Sequence, residues 1–222
     1  MTESRLFFSE AYQTIQQRTL DLLNAQQTFL SPSTLHSTRA AGDAIESILA
    51  SSFDRILGDW STDYSASFAR RAMADIAFTD VDGFYYVVDV KTHRSDTRFN
   101  MPNLTSVERL SRFHEDDKNY FVLLMASYQL EKDRAVFTEV KFVPIEFLSW
   151  DCLTIGALGW GQIQIANSNR IEIKPHYGRK QWMLELCDVL MDFYPKEIGK
   201  ITARIEHFEK VRQFWLAKPD ST

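Results

Sequence analysis

AMADIAFTDVDGFYYVVDVKT, residues 72–92, is the stretch whose reading decides how this chain folds. Aromatic and β-branched residues dominate Phe84–Thr92, the composition of a sheet strand. Ala72–Thr79 is a second strand-like run, and the Asp80-Val81-Asp82-Gly83 segment between the two is turn chemistry. So short a connection predicts an antiparallel hairpin. Side chains alternate faces along a strand, so Asp89 and Lys91 point the same way. A pairing centre near Asp82 sets Asp75 opposite Asp89. Two carboxylates and one ammonium then converge at one place on one face of the sheet.

Upstream, apolar residues Ile45, Ile48, Leu49, Phe53, Ile56 and Leu57 recur at helical spacing and predict a helix over Ala40–Leu57, with Glu46 beside the stripe. Met1–Phe29 reads as a further helix, and Leu30–Ser37 as a turn and helix start. Downstream, His93–Pro102 is a polar loop and Asn103–Glu115 reads as helical. Asn119–Tyr128 is a nearly unbroken apolar run, as in a central strand buried on both faces. Val136–Leu148 predicts another strand, and Gln162–Ala166 with Ile171–Lys174 a further pair. Two helices, over Arg179–Phe193 and Lys196–Leu216, close the chain. The last carries Ile198, Ile201, Ile205, Phe208, Val211 and Trp215 in a row, an amphipathic pattern that reads as core-facing. Helices, then strands, then helices predict an α/β fold, a mixed central sheet flanked by helices.

At 222 residues the chain can bury one good core, so a single domain over 1–222 is expected, its centre at about 40–145 and further strands and helices at 160–218. No apolar run is long enough to cross a membrane, and Met1–Glu10 has no secretory pattern. Cys152 and Cys187 sit in no metal or redox spacing; each reads as a small buried hydrophobe in a reducing, cytoplasmic compartment. The net charge of −5 argues mildly against a nucleic-acid binder, although carboxylates that hold cations and local positive patches can coexist with it.

Asp75 and Asp89 among Ala74, Ile76, Val88 and Val90 are costly unless paired, and a divalent cation meets that need. Oxygen ligands with open water positions suit Mg²⁺. Lys91 would orient or deprotonate an attacking water, or stabilise charge developing on phosphorus. The bland alternative for Asp89 and Lys91 is a surface ion pair, which their apolar strand disfavours. Arg94, Arg98 and Asn103 in and after the loop that follows Lys91 are candidates for phosphate contacts, as are Arg70 and Arg71. Asn167, Asn169 and Arg170 open a polar, basic segment running to Lys180. Asn and Arg there could read bases in the major groove, or the segment is a polar β-turn. His36, His114 and His207 show no ligand spacing, and Glu115-Asp116-Asp117 reads as a solvated helix end.

The order helix-Glu46, strand-Asp75, strand-Asp89-Val90-Lys91 resembles the PD-(D/E)XK nucleases, in particular type II restriction endonucleases of the EcoRV and HincII sort. Asp75 matches the first acidic position, though Ala74 stands where the family name has Pro. The run DVKTH, Asp89–His93, is similar to the DIKT-type sequence of that group, and the resemblance spans about Ala40–Tyr128. It implies a restriction-endonuclease-like fold and a Mg²⁺-dependent, site-specific cut in double-stranded DNA. It also implies Asp75, Asp89 and Glu46 as metal ligands, Lys91 as catalytic, and no organic cofactor. A palindromic site implies a homodimer, with the N-terminal or C-terminal helix as the contact. A repair or recombination nuclease, or a DNA-binding protein without catalysis, are the alternative readings.

Overall fold

Asn119–Glu131 (β5) forms because almost nothing in it is polar, and it lies where such a strand must, inside a sheet. Residues Phe121–Ala126 are all buried. The computed structural model describes residues 3–26, 37–66, 75–131 and 134–219. Helices α1 (Ala11–Ala25) and α2 (Thr38–Leu57) come first. Strands β1 (Ser61–Ser65), β2 (Ile76–Asp80), β3 (Tyr85–Arg94) and β4 (Asn103–Ser106) follow, then the short helix α3 (Val107–Phe113). After β5 come β6 (Arg134–Pro144), β7 (Leu153–Gly156), β8 (Gln162–Ile165) and the long helix α4 (Arg179–Leu216).

The main sheet has the order β1-β2-β3-β5-β6. β3 and β5 run parallel, and the other neighbours antiparallel, so the sheet is mixed. A second, antiparallel sheet has the order β4-β8-β7. This is a mixed α/β architecture, as the alternation of elements predicts. The chain divides into two compact units, 1–178 and 179–222.

In the first unit, α1 packs on β6 and α2 on β3. Ser37 caps α2 by accepting from the Ala40 N–H, and Ala41, Ile45, Leu49, Phe53 and Ile56 form its buried stripe. Phe53 meets Phe142, and Phe7 meets Tyr86, Tyr120 and Phe142, so one aromatic cluster closes this face of the sheet.

The hairpin that carries Asp75 and Asp89 is set by Asp80. Its Oδ1 accepts the Asp82 and Phe84 N–H groups, both at 2.9 Å, and its Oδ2 accepts the Tyr86 hydroxyl at 2.6 Å. Gly83 supplies the positive φ of 76° that the turn requires. The resulting register pairs Ile76 with Val88 and Ala77 with Val87; Asp75 stands just before the paired strand, its N–H donating to the Val88 carbonyl at 3.0 Å.

Several expectations are corrected. The N-terminal helix is shorter than Met1–Phe29, because Leu6 and Phe7 leave it to fill the core. Asn103–Ser106 is a strand, since it pairs with β8 (Gln162–Ile165), and only Val107–Phe113 is helical. Ile171–Lys174 does not pair with β8; Ile173 makes a single bridge to Leu148. Arg179–Leu216 is one helix through Pro195, not two. Its apolar row is exposed rather than core-facing, and Cys187 is exposed while Cys152 is buried. Strands β1 and β7 were not anticipated, being short and weakly patterned. Arg70, Arg71, His36, and the first residues of the expected strand at 72–74 and of the turn at 30–36 lie outside the described residues. Among the described residues no helix is long and apolar enough to cross a membrane.

Asp80→Ala removes three hydrogen bonds to a carboxylate and is expected to destabilise the protein by about 3 kcal/mol or more. Tyr86→Phe, which removes one, is expected to cost about 1–2 kcal/mol. Urea unfolding of both variants beside the wild type measures the difference; equal midpoints would mean that the turn does not depend on Asp80.

Candidate active site

Asp89 and Lys91 lie on one face of β3, in the middle of the main sheet. The Asp89 carboxylate is buried. Its Oδ1 accepts from Lys91 Nζ at 2.7 Å, while its Oδ2 is buried with no hydrogen-bond partner among the described residues. Asp75 sits just before β2. Its N–H donates to the Val88 carbonyl at 3.0 Å, and its Oδ2 accepts the Val90 N–H at 2.7 Å. Asp75 is thus clamped across the hairpin beside Asp89.

Burial pushes the Asp89 carboxyl up to about 7. The charge and hydrogen bond of Lys91 oppose that rise, whereas the negative charges of Asp75 and, less strongly, Glu46 add to it. Glu46 is half-buried on α2. That helix approaches the far end of β3 at Thr92: a Cβ on Gly42 would lie 3.5 Å from Thr92 Oγ1. Thr92 and Lys91 alternate to opposite faces of the strand. Glu46 therefore bears on Asp89 through its field, and Asp75 through direct juxtaposition across the hairpin. Among the described residues no group of three or more His, Cys, Asp and Glu side chains is gathered closely enough to cage a metal ion. The donor set that does converge is two carboxylates, with an ammonium between one of them and solvent.

The two loops proposed from sequence to meet nucleic acid are brought together. Ser168 N–H donates to the Asn100 carbonyl at 2.9 Å, and Asn169 Nδ2 donates to the Thr97 carbonyl at 3.0 Å. Within its own loop, Asn167 Oδ1 accepts the Asn169 N–H at 3.0 Å, the turn chemistry that Asn-Ser-Asn offers. Asn103 lies on β4 and its Oδ1 accepts from Gln164 Nε2 on the neighbouring strand. Arg94 makes a two-pronged pair with Asp96, at 2.5 and 2.6 Å. Arg98 and Arg170 are exposed at this joined edge. The asparagines thus build the loops, and the two arginines present charge from them.

Sequence reasoning passed over His93. It is buried, two residues beyond Lys91 on the same face of β3, and its Nε2 lies 2.7 Å from Asn169 Oδ1. It ties β3 to the 167–170 loop. The two-residue period Asp89, Lys91, His93 was the available signal.

A raised carboxyl pKa in the folded state means that the folded state holds the proton more tightly than the unfolded chain. The stabilisation is complete below the unfolded aspartate range, about 4, and is lost as pH rises toward about 7. With chelator present, Asp89→Asn is therefore expected to gain melting temperature over the wild type as pH is raised from 5 to 8. Thermal melts across that range test this, and a difference independent of pH would overturn it. The chain matches no protein-family model, and no curated protein is significantly similar to it.

Proposed function

We propose that this chain is a Mg²⁺-dependent endonuclease of double-stranded DNA, of the type II restriction kind. The observation that carries the reading is Asp89: a buried carboxylate with one oxygen on Lys91 and the other without a partner among the described residues, beside Asp75, whose own carboxylate accepts the Val90 N–H. An orphaned buried carboxylate oxygen is costly, and a cation offsets that cost. The donors are oxygens only, the set that suits Mg²⁺. Asp75 and Asp89 would hold the ion, with Glu46 adding negative charge from α2. Mg²⁺ so held supplies Lewis acidity, acidifying water and polarising a phosphoryl oxygen.

The protein's own groups supply the rest. Lys91 Nζ bonds Asp89 and is partly open to solvent, so a phosphate can approach it. There the ammonium would orient the attacking water or stabilise charge developing on phosphorus. Arg98 and Arg170, with Arg94, would contact backbone phosphates and set the duplex across the site. Asn103, Asn167 and Asn169 would shape the recognition edge. The His93–Asn169 bond joins that edge to the catalytic strand, so a well-seated site and a well-placed Lys91 go together. A homodimer would present two such sites to the two strands.

Two measurements test this. Incubated with unmethylated phage DNA and Mg²⁺, the wild type is expected to give discrete fragments, and Lys91→Ala to cut at least about 100-fold more slowly. Nicks or a smear would favour a repair-type nuclease; no cutting with Mg²⁺ or Mn²⁺ on any DNA would sink the catalytic reading. In Ca²⁺, Arg98→Ala and Arg170→Ala are each expected to weaken duplex binding and to lower the salt dependence by about one phosphate contact. Unchanged binding in both would remove this edge from the interface.

A further inference from the structure

Helix α4 carries an apolar seam that is exposed among the described residues. Leu184, Cys187, Met191, Tyr194, Ile198, Ile201, Ile205 and Phe208 follow one another at alternating spacings of three and four. After Arg212 the same pattern ends at Trp215. In heptad terms these are the a and d positions from Leu184 to Trp215, sustained for more than four repeats. Met191 is 72% exposed, Ile198 65%, Phe208 66% and Trp215 63%. Trp182 and Leu186, the buried residues of this helix, stand at positions f and c, away from the seam. Pro195 falls at an e position, so its ring does not occupy the seam either.

Such a row in water needs an occupant. We infer that it is a second copy of this chain, paired through α4 as a parallel, in-register, two-stranded coiled coil. Three features select that occupant. The apolar period is heptad, so a helix of the same period, supercoiled left-handedly with it, can stay in contact over the roughly 48 Å from Leu184 to Trp215. Arg204 at g and Glu209 at e are both exposed and oppositely charged. In a parallel pair each Arg204 meets Glu209 of the second copy, twice by symmetry. An antiparallel pair that overlays Ile198–Phe208 on itself sets Arg204 against Arg204. Arg212 at an a position selects two strands, because only in a two-stranded coil can an a-position side chain lean past the seam and keep its charge in water. A lipid surface would favour a uniformly basic polar face, and this one is mixed: Glu197, Glu206 and Glu209 stand among Lys196, Lys200, Arg204 and Lys210. The inference does not depend on the nuclease reading, and its test reads assembly rather than cleavage.

Sedimentation of the full chain is expected to give twice the 25.8 kDa chain mass. Ile201→Asp with Ile205→Asp is expected to give a monomer with unchanged core melting, whereas Ala203→Asp, at position f, should stay dimeric. Arg204→Glu should weaken the dimer at least tenfold, and adding Glu209→Arg should restore it. Cys187 at d and buried Cys152 are the two cysteines of the chain, so a mild oxidant, taking one electron from each thiol, should link in-register copies through Cys187. Cys187→Ser should abolish the link. A monomeric wild type overturns the inference, including one that floats with anionic vesicles. A dimer that survives both seam substitutions overturns the interface, and a dimer that resists oxidative linking overturns the parallel register.

Discussion

The position of every group in the candidate site depends on the Asp80 turn. A two-residue side-chain period makes hairpin register all-or-none: a slip of one residue would send the Asp89 and Lys91 face to the other side of the sheet relative to Asp75. The Asp80 carboxylate prevents that slip by accepting two backbone N–H groups inside the turn and the Tyr86 hydroxyl across it. Tyr86 is in turn wedged between Phe78 and Tyr120, so the turn is locked to the core. Asp75 completes the clamp at the open end by accepting the Val90 N–H.

Once the register is held, the sheet's interior determines the chemistry. β3 lies between β2 and β5, and burial there leaves the Asp89 carboxyl poor in water. Lys91 supplies one partner, and the remaining oxygen has none among the described residues. Buried carboxyls with pKa values raised in this way cluster at functional sites. The stitched loops extend the same logic outward: Asn169 spends its side chain on His93 and on the Thr97 carbonyl, which makes two separate surface segments into one edge next to the strand. Two arginines remain at that edge, which is how a chain of net charge −5 can still offer a local positive face.

α4 follows a different rule. Its apolar row is exposed among the described residues, and the heptad spacing and the placement of its charges are what a copy of the same helix would match. A two-fold axis through this helix would give any single-site chemistry in the first unit a symmetric double, the arrangement that two antiparallel DNA strands call for.

The sequence by itself determined the hairpin, its turn, the shared face of Asp89 and Lys91, and the central strand β5. These depend on periodicity and turn chemistry within a few residues, which local sterics enforce. The register that pairs Ile76 with Val88 was legible for the same reason, since turn length sets register. Tertiary structure decided the rest. Asn103–Ser106 has enough helical character to be read as a helix start, and becomes a strand because β8, nearly sixty residues away, offers it a ladder. His93 gains a role only when the 167–170 loop arrives beside it. The row on α4 looks the same whether it faces a core or water, because an apolar period states that a face must be covered and not by what. The tertiary fold answered that by leaving Ile198, Ile201, Ile205 and Phe208 exposed.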